Sequence, residues 1–314
     1  MTRKGWLLFI AMSVFWGIPY FFIKIAVLEL DPIVVVFARV AIATIVLLPV
    51  AIRLHLLKRF RRRWLVIAGL STIQIIVPFL FISYGEQHIA SSLTSLLISS
   101  EPLLVALFAL RLDPSERVSG MRLVGLFIGM GGVVALLGLD AGGDGQKLLG
   151  AGFVLLATMC YAISALLVKR PIIASLPSLG VVTIACAVAT VLLAPLAVTR
   201  LPERMPSSGV IISLLVLGLI CTALAYLTFF ALVAEVGASR ATVSTYVNPV
   251  VSVLLGVILL NEPLDVATVV GFLLILLGSW ISTGGVPPLV GYLFCAYVQK
   301  KVRGMVETGR KEPL

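Results

Sequence analysis

The sequence predicts an all-α membrane protein of ten transmembrane helices. They form two inverted five-helix repeats, followed by a short peripheral helix at the C-terminus. Three observations predict this. First, the chain is 60% hydrophobic and only 12% charged, whereas soluble domains carry roughly 25% charged residues. Second, its apolar residues fall into ten runs of about 20, the length needed to cross the hydrocarbon core. Third, the chain repeats itself once at half its length, a pattern to be sought before any local motif.

The repeat is clearest in two stretches. ASSLTSLLISSEPLLVALFALRLDPSERVSGMRLVGLFIGMGGVVALL begins at Ala90, and GASRATVSTYVNPVVSVLLGVILLNEPLDVATVVGFLLILLGSWIS begins at Gly237. At an offset of about 147, Ser92 falls on Ser239, Ser95 on Thr242, Glu101 on Asn248 and Pro102 on Pro249. With one residue dropped in the loop, Glu116 falls on Glu262, Gly125 on Gly271 and Gly132 on Gly278. Earlier in each half, Trp16 aligns with Tyr161, Lys24 with Lys169, Pro32 with Pro177 and Pro49 with Pro195.

The spans read as 6–28, 33–52, 64–84, 89–110, 121–139, 148–168, 178–199, 209–231, 238–260 and 266–284. Arg3 and Lys4 before the first invite a signal-peptide reading, but the run is too long, contains Lys24 and lacks a small-residue cleavage site before Glu29. The organisation is residues 1–145 for the first repeat, 146–285 for the second and 286–314 for a basic amphipathic tail. The tail segment VPPLVGYLFCAYV is too short for an eleventh span. It reads as an interfacial or cytoplasmic helix anchored by Tyr292, Phe294 and Tyr297.

Basic residues orient the chain. With the N-terminus inside, the inner segments collect Arg3, Lys4, Arg53, Lys58, Arg59, Arg61, Arg62, Arg63, Arg111, Arg117, Arg122, Lys169, Arg170, Arg240 and the basic residues of the tail. The outer segments hold only Lys147, Arg200 and Arg204. Both termini are therefore expected in the cytoplasm, in a multi-pass cell (inner) membrane protein. The net charge of +10 follows from this bias and implies no nucleic acid. Five spans per half is an odd number, so the halves lie upside down relative to each other. Such repeats supply one conformation open to each side, the basis of alternating access.

With that order of features the sequence resembles the EamA family of the drug/metabolite transporter superfamily. The resemblance rests on FWG in the first span with a lysine one to two turns later, and on the proline-bearing fourth and ninth spans. It rests also on the acidic turns SERVS and NEPLD, each followed by a glycine-bearing last span. It covers roughly residues 6–284 and implies a secondary transporter, often an exporter of amino acids or other small metabolites.

Glu101 is the most informative single residue. It lies about 13 Å from the cytoplasmic end of its span at 1.5 Å per residue, near mid-membrane, where an ionisable residue marks function by default. Pro102 removes a backbone donor and frees carbonyls near Ile98 and Ser99. Together with the Ser95 and Ser99 hydroxyls, this group could take an ammonium or hold a transported proton. The other reading is a structural partner of Arg39 or a helix cap. Asn248, the mirror position, suits an uncharged part of a substrate or polar glue between helices. Pro102 and Pro249 are the expected hinges.

Lys24 and Arg39 either snorkel outward towards Glu29, Asp31 or Glu86 or form an anion receptor; Arg39 with Glu101 would complement a zwitterion. Gln74 is a mid-membrane amide aligned with Cys221. Trp16, Tyr20, Tyr161, Tyr226 and Tyr246 are aromatic candidates for a cavity wall, or packing residues. Gly125, Gly129, Gly131, Gly132, Gly271 and Gly278 allow close helix approach, within one monomer or across a homodimer.

The four cysteines each sit in an apolar run without a CxxC spacing, so neither a disulfide framework nor a metal site is expected. There is no Walker loop, HExxH or GxSxG. The expected partners are a small-molecule substrate, the lipid bilayer and a coupled proton, with no cofactor. A membrane-embedded enzyme acting on lipid-linked substrates is the alternative class. It would need a polar cluster near one surface, and only scattered polar residues are found.

Overall fold

A computed structural model describes residues 1–60, 63–112, 121–137 and 145–282. Glu116 and the C-terminal tail lie outside these residues. The described residues are helices and turns. Eight helices are long and apolar enough to cross a membrane: α1 (Arg3–Ala26), α2 (Pro32–Arg53), α3 (Trp64–Glu86), α4 (Ser91–Ala109), α6 (Gly145–Val168), α7 (Ser178–Val198), α8 (Ser208–Val236) and α9 (Val243–Leu260). The other two apolar helices, α5 (Met121–Leu137) and α10 (Val266–Ser282), have 17 residues each. At 1.5 Å per residue the described part of each is about 26 Å long, most of the roughly 30 Å core.

Polar side chains set the helix starts. Thr2 accepts from Gly5 N–H at the start of α1. Asp31 accepts from Ile33 N–H ahead of Pro32, which suits the first turn of α2. Ser207 caps α8 by accepting from Val210 N–H, and Asp265 accepts from Thr268 N–H in the first turn of α10. At the other end of α9, Asn261 takes the left-handed conformation (φ 52°) that closes a helix.

Several helices are broken within their spans. Pro19 divides α1 into Arg3–Gly17 and Pro19–Ala26. In α4, Ser91–Ile98 ends one turn before Glu101–Leu112 begins. The Pro102 ring has no N–H for the Ile98 carbonyl, so the ladder shifts locally to i→i−3 bonds. Ser100 N–H donates to Leu97 O, and both Leu103 and Leu104 N–H donate to Ser100 O. In α9, Val247 N–H donates to Ser244 O, and both Val250 and Val251 N–H donate to Val247 O. These are the same bonds at the repeat offset. Mid-helix π segments also recur, at Thr72–Ile76 in α3 and Val216–Leu224 in α8.

Helix pairing keeps its pattern when the halves are exchanged. The pairs α2–α7, α4–α9 and α5–α10 map onto themselves, and α1–α8 maps onto α6–α3. Glycines set the closest approaches. A Cβ on Gly125 would come 2.8 Å from Gly278 O, and one on Gly132 would come 2.7 Å from Gly271 O. Hence α5 and α10 run antiparallel with their backbones in contact, and these glycines serve packing within the chain. In the α3–α6 pair, a Cβ on Gly85 or Gly150 would lie 2.9 Å from the other glycine's carbonyl oxygen. The outer surface is apolar: Ile45 is 72% and Phe127 74% exposed, as expected for side chains facing lipid.

Candidate functional site in the middle of the helix bundle

Arg39 anchors the site. Its α2 position is buried (6% exposed), and its guanidinium carbon stands 3.9 Å from the centroid of the Phe79 ring on α3. Its Nε–H donates to Thr222 Oγ1 on α8 at 2.9 Å. Thr222 in turn donates its hydroxyl to Leu217 O at 2.8 Å, a bond across five residues that the π segment makes available. Gly218 brings the α8 backbone up to α2: a Cβ there would come 2.5 Å from the Ile42 side chain and 3.1 Å from Arg39 O. The π turn, the glycine and the threonine therefore fix the guanidinium. Its terminal Nη groups make no hydrogen bond among the described residues. Stacking on an aromatic face stabilises such a cation by about 2 kcal/mol when desolvated.

Around Arg39 the structure gathers half-buried polar residues from four further helices. Tyr20 of α1 lies within electrostatic reach of Glu86, Arg39 and Glu101. Tyr161 of α6 lies within reach of Tyr20, Arg39, Tyr226 and Glu101. Tyr226 of α8 is likewise close to Cys186, Arg39 and Glu101. The Trp16 ring meets Tyr226 edge-on, with centroids 5.8 Å apart. It also lies tilted against Phe229 at 5.1 Å. Trp16, Tyr20, Arg39, Glu101, Tyr161 and Tyr226 thus converge from α1, α2, α4, α6 and α8. Glu101 forms no ion pair with Arg39, one of the two structural roles weighed for it in the sequence.

The remaining candidates are arranged differently. Gln74 is half-buried within the π segment of α3. Tyr246 ends the 3₁₀ turn of α9 and Pro249 follows at the start of the next helical segment. Asn248, oriented to satisfy its neighbours, donates its amide N–H groups to Ser13 O (3.2 Å) and Ser244 O (2.8 Å). It links α9 to α1. The Ser95 and Ser99 hydroxyls are donated to Ser92 O and Leu96 O, leaving only their lone pairs for another group.

Lys24 meets Glu86, one of the three acids weighed for it, but through the backbone and not the carboxyl group. Its ammonium donates to the carbonyl oxygens of Glu86 (2.5 Å) and Ile89 (2.8 Å), capping the end of α3. Glu29 and Asp31, considered as its partners, bind Ser207 N–H and Arg200 instead. Hydrogen bonds from Ser207 hold the Glu29 carboxyl below the usual carboxylate range.

Sequence reasoning missed three residues. Thr222 carried no signal beyond an apolar run. Glu86 read as an outer-loop acid, yet it is fully buried, with neither carboxylate oxygen hydrogen-bonded. Glu262 read as half of a repeated acidic turn. It reaches across to the other half of the chain, where Oε1 accepts from Ser91 N–H (2.7 Å) and Oγ–H (2.9 Å), and Oε2 accepts from Ser92 N–H (2.9 Å). A carboxylate on these first N–H groups of α4 complements the helix dipole. Partial burial pushes the Glu262 carboxyl up, but the hydrogen bonds from Ser92 and Ser91 outweigh it and hold the group below its usual range.

A bundle of membrane-spanning helices, broken and π-wound around a charged and aromatic centre, defines an integral membrane transporter by architecture. The chain belongs to the EamA-like transporter family, which matches residues 3–138 and again 148–284. It is 30% identical over 88% of its length to an uncharacterized transporter of Archaeoglobus fulgidus, covering 98% of that protein. It is 26% identical over 81% of its length to the uncharacterized inner membrane transporter YedA of Escherichia coli, covering 82% of it. A solved crystal structure has the same fold at TM-score 0.63 and 19% identity, over 90% of this chain and 97% of that one.

Proposed function

We propose that this protein is a secondary transporter that exports small zwitterionic or polar metabolites, such as amino acids, by alternating access. In this reading α1–α5 and α6–α10 form two inverted five-helix repeats, in domains 1–145 and 146–285, with both termini in the cytoplasm. The antiparallel run of α5 against α10 supports the inversion. The exchangeable helix pairs support it as well. The substrate binds between Arg39, Glu101, Tyr20, Tyr161 and Tyr226, with Trp16 on the wall. Asn248 acts chiefly as the link between α9 and α1.

One observation carries the reading. A buried guanidinium is held from one side by Phe79 and Thr222 while Glu101, a carboxyl with no ion pair among the described residues, shares the same ring of tyrosines. Such a pair can receive a carboxylate at one end and an ammonium at the other. In proteoliposomes screened with amino acids, sugar phosphates and cationic dyes, one zwitterionic or polar class is expected to be transported. Glu101→Gln should insert normally and lower transport of that class at least tenfold, or about 1.4 kcal/mol. Unchanged transport per folded molecule would remove Glu101 from the site.

A further inference from the structure

Glu86 ends α3, fully buried, and neither oxygen of its carboxyl group meets a hydrogen-bond donor. A carboxylate without a partner is stable in such a place only as the neutral acid or against a cation. Lys24, a cation within electrostatic reach, is already engaged: its ammonium donates hydrogen bonds to the backbone oxygens of Glu86 and Ile89. Lys24 therefore grips the end of α3 and the turn into α4 while ignoring the carboxyl group of the residue it touches.

Every element around Glu86 contributes to its surroundings. From α1 come Lys24 and Tyr20, from α2 Arg39, and from the α9–α10 turn Glu262, whose oxygens are spent on Ser91 and Ser92. On α3 itself and the following turn are Tyr84 and His88. From α6 come Gly150 and Val154, which press on Gly85 and carry no charge. Arg39, the other cation within electrostatic reach, is held on Phe79 and Thr222, and among the described residues no side chain hydrogen-bonds the Glu86 carboxyl group, so the group that balances its charge is either a bound proton or Lys24 in a second position.

We propose that Glu86 is a proton-binding site, separate from the substrate site, with Lys24 as its switch. In the arrangement seen, Glu86 holds the proton and Lys24 holds the α3 end. When the carboxyl group releases its proton, Lys24 leaves the two carbonyls and pairs with the carboxylate. Lys24 sits on the short outer segment Pro19–Ala26, beyond the break at Pro19, so that segment can move without the rest of α1. Proton release thereby loosens α1 from the α3–α4 turn, which Glu262 joins to the second half of the chain. This assigns the proton step of the transport cycle to Glu86 and rests on the transporter reading for its purpose. Its test reads proton binding directly and does not depend on that reading.

The full chain in lipid nanodiscs is titrated and followed by infrared difference spectroscopy. A carboxylic acid without a hydrogen bond absorbs above the exposed carboxyl groups and shifts in heavy water. Such a band is expected to appear as pH falls, to be absent in Glu86→Gln and to persist in Glu101→Gln. In Glu86→Asp, which serves if the glutamine variant does not insert, the band should change frequency. In Lys24→Gln the midpoint should move to higher pH, because the stabilising cation is gone. A band that persists in Glu86→Gln or is unmoved in Glu86→Asp overturns the proposal, as does a wild-type spectrum without a titrating band.

Discussion

Thr44 Oγ1 lies 3.3 Å from Thr190 Oγ1, and the two residues are 146 positions apart. That is the offset of the sequence repeat, so a residue of α2 meets its own counterpart on α7. Each also donates its hydroxyl to the carbonyl four residues earlier, Thr44 to Val40 O and Thr190 to Cys186 O. Contact between equivalent residues is what the proposed inverted repeats require along their common axis. Replacing both with cysteine, in a background without the native cysteines, is expected to yield a disulfide in native membranes. The two side-chain ends, 3.3 Å apart, need close by only about 1 Å to reach S–S bonding distance. Failure to cross-link under oxidant would show that α2 and α7 do not meet there.

The α5–α10 contact tolerates no added atom. Gly132→Ala would place its Cβ 2.7 Å from Gly271 O and 2.8 Å from Ile275 N, both backbone atoms. Forced repacking of this kind costs about 1–3 kcal/mol, read as a lower melting temperature in detergent. Gly131→Ala is the control, since nothing lies within 4 Å of a Cβ there. Equal melting temperatures for the two variants would mean that the helices are further apart.

Glu262 makes stability depend on pH. Its folded-state carboxyl is held below the ordinary 4.5, so the unfolded chain binds the proton more readily. The stabilisation is complete above 4.5 and is lost as pH falls through the lower folded value. Glu262→Gln is expected to melt earlier at neutral pH, by about 1–3 kcal/mol for a lost charged acceptor. The gap to wild type should narrow below pH 4.5. A gap that stays constant with pH would show that the carboxylate charge is not what holds Ser91 and Ser92.

Arg39→Lys keeps the charge and loses the planar fork that stacks on Phe79 and donates Nε–H to Thr222. Transport is expected to fall about tenfold, roughly 1.4 kcal/mol, mainly through apparent affinity for the anionic end of the substrate. Asn248→Ala should behave differently. Its amide bonds carbonyls of α1 and α9, so it should lower thermal stability by about 1 kcal/mol and leave affinity nearly unchanged. Kinetics and melting curves on the same preparations check both, and the reverse pattern would exchange the two roles.

Much of this architecture is legible in the residues themselves. Apolar run lengths place the helices, because the bilayer admits few other structures. Paired prolines at Pro102 and Pro249 mark the breaks in α4 and α9, because a missing N–H disturbs the ladder wherever it occurs. Glu101 stands out because a carboxyl group in an apolar run needs a reason. These features follow from local covalent chemistry or from transfer into lipid, and neither requires knowing which helix touches which. Only the tertiary structure decided the partners. Arg39 and Lys24 looked alike in sequence, two cations near the outer ends of apolar runs. Packing placed Arg39 on Phe79 and Thr222, and Lys24 on the carbonyls closing α3. Glu86 and Glu262 likewise looked like loop acids, and the approach of α1 and α9 to the α3–α4 turn buried one without a partner and set the other on a helix start. Such outcomes depend on contacts between residues far apart in the chain, 171 positions in the case of Ser91 and Glu262, and no local pattern encodes them.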